Sequence, residues 1–211
     1  MDFGSLGGYV ERLGAALRSG AMLTHEREFY SPVRPKTVAS GDDAGDDKNA
    51  PGASLRRLAR DGVGYLEFRV FDLDPFEANG VGLEVLRFFH VLVLASLLRP
   101  ADPIGIEERV ELAERWRWST LCGGAWCECR PTPGGAGDRE ILPLLTFMAD
   151  IAEQLPAPYG AAVAAARERW AGRRDRPLDR WRRLAAATPG GALAAGLELA
   201  RVHAAETRRV G

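Results

Sequence analysis

The run GVGYLEFRVFDLDPF, Gly62 to Phe76, decides how this chain is read. It alternates: Leu66, Phe68 and Val70 fall on one face of an extended chain, and Tyr65, Glu67, Arg69 and Phe71 on the other. A strand follows from that period, and two opposite charges in its middle make it unusual. Pro75 ends it, because proline has no amide for a ladder, and Asn79-Gly80 turns the chain into VGLEVLRFFHVLVLASLL, Val81 to Leu98. Glu84, Arg87 and His90 leave about eight uncharged residues after them, where a membrane span needs roughly 20, so this most apolar stretch predicts a buried helix.

Upstream, Leu6 to Arg18 carries apolar residues at helical spacing, with Gly20 placed as a C-terminal cap. In THEREFYSPVRPK, Pro32 and Pro35 oppose a regular helix, which predicts an extended, charged segment. Residues 39–55 read as a flexible loop whose four aspartates lack the spacing of a calcium loop, and Ser54 to Arg60 as a short helix. Downstream, Ile106 to Trp118 is helical and residues 119–139 are an irregular, glycine-rich loop. Helices follow over Glu140 to Leu155, Tyr159 to Ala171 and Ala192 to Ala205, separated by GRRDRP and TPGG breakers. Strands confined to the N-terminal third and helices beyond them predict an α+β fold with few strands and a mainly helical C-terminal half.

The 211 residues, 46% of them hydrophobic, suffice to bury a core. Lys and Arg number 28 and Asp and Glu 29, a formal charge of −1, so no global positive field is available to hold a nucleic acid. All three cysteines, Cys122, Cys127 and Cys129, lie within eight residues, a pattern that suits a reducing compartment better than a disulfide framework. With no signal-peptide pattern at the start, a cytoplasmic chain without a membrane anchor is expected.

Glu67 and Arg69 are the sharpest chemical feature. Two residues apart on a strand, both heads enter one space. A surface ion pair would be worth ~0–1 kcal/mol, but both strand faces are apolar enough to imply partial burial, where unused charges are costly. A carboxylate suits a hard cation such as Mg²⁺, and a guanidinium beside it suits phosphate or carboxylate oxygens. Arg34 and Lys36 could add positive charge, and Tyr30 an aromatic hydroxyl. The cysteines form C-x4-C-x-C without a nearby fourth zinc ligand, since the histidines are His25, His90 and His203. His90 reads as a core or interface histidine. Trp116, Trp118, Trp170 and Trp181 read as helix tryptophans packed inward under arginine stems.

Taken together, EFYSPVRPK (Glu28 to Lys36), the loop, GVGYLEFRVFDLDPFEANGV (Gly62 to Val81) and LRFFHVLVLASLL resemble the bacterial glutamate–cysteine ligases in wording, order and spacing. LLTFMADIAEQL, Tyr159, Asp175 to Pro177 and TPGG resemble that family's C-terminal helices. The resemblance extends over about residues 3 to 205 and presents residues 1–211 as the C-terminal portion of a ligase catalytic domain.

The resemblance implies ATP- and Mg²⁺-dependent formation of γ-glutamylcysteine from glutamate and cysteine through γ-glutamyl phosphate, the first step of glutathione synthesis. By position, Glu67 is similar to a magnesium-ligating glutamate and Arg69 to the arginine that holds the transferred phosphoryl group. Tyr30 matches a tyrosine of the cysteine pocket, and Arg34 and Lys36 a basic motif near it. The family's saddle-shaped antiparallel sheet, shared with glutamine synthetase, would be partial here, with an exposed edge and apolar face. Other metal ligands would come from an N-terminal half, supplied as a partner, or the chain would assemble as a homo-oligomer. A non-catalytic remnant that binds a ligase, or a ligase using another amine, are the alternatives.

Overall fold

Short proline-containing segments set the architecture. The computed structural model describes residues 4–21, 23–38, 50–100, 102, 104–121 and 136–210. The chain divides into two units, Met1–Phe71 with Asp102–Val110, and Asp72–Ala101 with Glu111–Gly211.

In the first unit, α1 (Leu6–Ser19) starts at Ser5, whose Oγ accepts from the Gly8 amide at 3.0 Å, and stops at Gly20 in the left-handed region at φ 61°. Its inner face, Tyr9 and Leu13, packs against Leu55 and Leu58 of α2 (Ala53–Asp61), with Phe29 edge-on to Tyr9 at 6.5 Å. The predicted extended segment contains one 3-10 turn at Glu26–Glu28 and then becomes β1 (Val33–Lys36). β1 pairs antiparallel with β2 (Tyr65–Phe68), Arg34 opposite Glu67 and Lys36 opposite Tyr65. β2 is shorter than its alternation predicts. The Arg69 amide still bonds Pro32 O at 2.7 Å, but Pro32 has no amide to return the bond, so the ladder ends there.

In the second unit, Asp74 to Gly80 forms a tight turn in which Asp74 N donates to Gly80 O at 2.7 Å and Gly80 adopts φ 73°, as Asn79-Gly80 predicts. α3 (Leu83–Leu98), α5 (Ala136–Ala152) and α6 (Ala157–Trp170) enclose an apolar core of Val91, Ala95, Leu145, Met148, Ala152 and Val163. α7 (Pro177–Ala187) packs on α8 (Gly191–Val210). α4 (Ile106–Leu121) begins in the first unit and continues in the second.

Several expectations are corrected. α3 is half-buried rather than buried: Leu83, Leu86, Leu97 and Leu98 are exposed, because α5 and α6 cover one side of a helix that is apolar all round. His90 is exposed, although its ring meets Tyr159 edge-on at 5.4 Å. Trp116 is exposed, whereas Trp170 packs against the core; Trp118's side chain lies outside the described residues. Residues 53–55 belong to α2, and 119–121 and 136–139 to α4 and α5. The rest of the two predicted loops, with the aspartates and the three cysteines, lies outside the described residues. α7 is a helix beyond those expected, since Pro177 stands at its first position, where proline starts a helix rather than breaking it. Among the described residues, no helix is long and apolar enough to cross a membrane.

Candidate active site

The two-stranded ribbon of the first unit gathers most of the residues singled out by sequence. Its register puts Arg34, Lys36, Tyr65 and Glu67 on one face, while Val33, Pro35 and Leu66 border an apolar cavity of about 490 Å³ on the other. Gly64 makes this possible. A Cβ there would lie 2.6 Å from the Val38 amide nitrogen, and its own amide donates to Lys36 O at 2.7 Å, so only glycine lets the two chains close at this end.

Glu67 is held from two sides. Arg69 donates Nε at 3.0 Å and Nη2 at 2.9 Å, both to Oε1, and the Lys36 ammonium stands 3.5 Å from Oε2. The Arg69 bonds hold the Glu67 carboxyl below its ordinary range, with the Lys36 charge adding to them against partial burial. Oε2 itself is shielded from water and receives no hydrogen bond among the described residues. Oε2 is thus balanced by the Lys36 charge without being hydrogen-bonded, which leaves its lone pairs open to a further ligand.

Arg34 and Tyr30 stand apart from this cluster. Arg34 is on the same strand face but buried, its Nη2 donating to the Glu26 backbone oxygen at 2.8 Å. Tyr30 is largely exposed, and its hydroxyl reaches only the Arg69 carbonyl, at 3.5 Å. Thus Lys36, Glu67 and Arg69 meet through their side chains, Tyr30 joins through backbone, and Arg34 is committed to the interior.

Glu26 belongs to the same unit and has no motif to announce it. It is 3% exposed, and its carboxylate accepts from Gly52 N at 2.7 Å and from Ser54 N and Oγ at 3.1 and 2.7 Å. Burial pushes its pKa up, but the bonds from Gly52 and Ser54 outweigh burial and bring it to about 2. Glu26 therefore ties the turn before β1 to the start of α2. A carboxylate two residues from Glu28 in a charged segment gives no sequence signal for this; its partners lie 26 and 28 residues away.

No group of three or more His, Cys, Asp or Glu side chains suited to a metal occurs among the described residues. Glu67 supplies one carboxylate, and any cation there takes its other ligands from elsewhere.

Comparison with known proteins follows the same residues. The family model described as glutamate–cysteine ligase matches residues 10–118, about half of the chain, and takes in the whole ribbon. A glutamate–cysteine ligase of Shewanella pealeana is 38% identical over 102 residues, 48% of this chain and 18% of that protein. A bifunctional glutathione biosynthesis protein of Mannheimia succiniciproducens is 35% identical over 109 residues, 51% of this chain and 12% of its own length. The crystal structure of the Francisella tularensis glutamate–cysteine ligase in complex with AMP superimposes with a TM-score of 0.75 over 97% of this chain, at 20% identity. It supports the fold, and the chain spans 44% of that structure. On the span of the family match, this chain belongs to the glutamate–cysteine ligase family.

Proposed function

We propose that this chain carries part of the active site of an ATP- and Mg²⁺-dependent ligase that joins the side-chain carboxylate of glutamate to the amine of cysteine. The observation that supports it is the Glu67 Oε2, a shielded carboxylate oxygen with no hydrogen-bond donor among the described residues, beside a guanidinium and an ammonium. Such an oxygen fits a hard cation, and cations beside it fit phosphate. Bound there, the metal supplies positive charge against the phosphate oxygens.

In this reading Glu67 is a metal ligand, and the field of Lys36 and Arg69 keeps it ionised. Arg69 orients Glu67 and offers its Nη1 to the transferred phosphoryl group. Lys36 neutralises negative charge at the same face. Arg34 positions β1 from the interior, and Tyr30 lines the acceptor pocket with its exposed ring. Phosphoryl transfer depends on positioning and charge stabilisation more than on covalent help, which these residues can provide. A γ-carboxylate oxygen of glutamate takes the terminal phosphoryl group of ATP and ADP leaves; the cysteine amine then attacks the γ-carbonyl carbon, phosphate leaves, and the amine loses a proton. The clustered cysteines suit a reducing, cytoplasmic setting.

One carboxylate does not build a metal site, so the remaining ligands come from outside the described residues, and an N-terminal ligase segment is the source this reading favours. The test is phosphate release by this chain assayed with a complementary ligase N-terminal segment. Release that requires ATP, glutamate and cysteine together is expected. Release with other amines at equal rate would move the acceptor away from cysteine, and no release would overturn the proposal.

A further inference from the structure

The ribbon cluster leaves one neighbouring cation, Arg57, unused. Between α1, α2 and β1 lies a cavity of about 210 Å³ whose polar wall is Glu26, Arg34, Lys36, Ser54, Arg57 and Tyr65. Three cations line it with one carboxylate, and one of the three, Lys36, is paired with Glu67. Glu26 keeps its charge but gives these cations no side-chain hydrogen bond, its oxygens being taken by Gly52 and Ser54. Arg34 spends Nη2 on the Glu26 carbonyl, and Lys36 stands 3.5 Å from Glu67. Arg57 is left: its Nη1 is shielded from water and has no hydrogen-bond partner among the described residues, although Asp61, one helical turn on, feels its charge. A buried guanidinium nitrogen without an acceptor is costly, as a buried carboxylate oxygen without a donor is.

We infer that this cavity binds a small phosphate-type dianion, held by Arg57, Lys36 and Arg34, with the Ser54 and Tyr65 hydroxyls on the same wall. Arg34 and Arg57 are guanidiniums, whose forked N–H groups suit phosphate oxygens, and Lys36, already paired with Glu67, adds its charge at the edge. The volume admits a phosphate group with water but falls below the roughly 300 Å³ at which pockets for whole drug-sized ligands begin, so a complete nucleotide does not fit. The site shares Lys36 with the ribbon cluster, yet it does not rest on the ligase reading: Arg57 and Tyr65 have no part in that chemistry.

Titration calorimetry of the 211-residue chain with inorganic phosphate, against chloride at equal ionic strength, tests the inference. Saturable binding of one phosphate per chain is expected, weakened at least about tenfold by Arg57→Met, since a charge-assisted bond is lost. The exposed neighbour Arg56 is the control, and Arg56→Met is expected to bind as the parent does. Should Arg57→Met fail to fold, Arg57→Gln keeps a polar head on a shorter stem and is expected to show the same loss. Competition by ATP at similar concentrations would identify a nucleotide's phosphate as the bound group, and its absence free phosphate; both agree with the inference. Absence of saturable binding, unchanged affinity in Arg57→Met, equal loss in Arg56→Met, or acetate binding as tightly as phosphate would each overturn it.

Discussion

The two units bury different things. The second is built around Val91, Met148 and Val163, fully buried apolar side chains on three helices. All three buried polar or charged residues among those described, Glu26, Ser31 and Arg34, belong to the first. An apolar core tolerates substitution by shape and volume, whereas a buried carboxylate and guanidinium must each find their donors and acceptors in one geometry. The first unit therefore fixes its buried charges in place, and Lys36, Glu67 and Arg69 form a separate, part-exposed cluster on its ribbon. The second unit spends its ion pairs differently. Arg169 and Arg174 both bond Glu84 at the start of α3, at 2.5 and 2.8 Å, tying helix ends together.

This contrast can be broken or sharpened by substitution. The largest effect is expected at Arg69. Arg69→Ala removes both bonds to Glu67 Oε1, and in an active reconstituted enzyme it should lower the rate of phosphate release about 10²–10³-fold while thermal unfolding changes little. A rate within threefold of the parent would detach Arg69 from the site. Next, Met148→Ala should cost about 2–5 kcal/mol in denaturant unfolding, by transfer and cavity terms together. Glu26→Ala, which strands the Gly52 and Ser54 donors, should cost about 1–3 kcal/mol, with the loss read in amide exchange of α2. Equal protection of α2 in parent and variant would show that the polar interior does not hold the first unit together.

Acid should separate the units further. Glu26 has a folded pKa of about 2 against an ordinary value of 4.5, so its contribution is present above pH 4.5 and is lost as pH falls toward 2. The shift corresponds to on the order of 3 kcal/mol, and hydrogen exchange should show the first unit opening over that window ahead of the α3–α5–α6 core. Simultaneous opening would contradict the assignment. Smallest of all, Glu111→Gln removes one side of the exposed Arg115 pair and should leave the melting temperature unchanged.

Much of this was legible in the sequence because the signals were local. The period of two at Tyr65 to Phe68, the turn at Asn79-Gly80 and the cap at Gly20 each act within a few residues, and each appears in the structure. The pairing of Glu67 with Arg69 follows from the same alternation, carried one residue past the end of β2. What was not legible depended on partners distant in sequence. Burial of Arg34 is decided by the backbone of Glu26, and the fate of Glu26 by Gly52 and Ser54 across the intervening loop. The exposure of His90 reflects which side of an all-apolar helix α5 and α6 cover, and no pattern within α3 states that. Pro177 shows the reverse difficulty, a local signal with two meanings, since proline both ends and begins helices.

The central claim is that Glu67 Oε2 faces a metal ion. It is tested most directly by the Mg²⁺ dependence of phosphate release in the reconstituted enzyme, comparing Glu67 with Glu67→Gln, which keeps the shape and removes the charge. The variant is expected to lose at least about 10²-fold in rate and to need far more Mg²⁺ for half its residual activity. A variant with the parent's rate and the parent's Mg²⁺ requirement would contradict it.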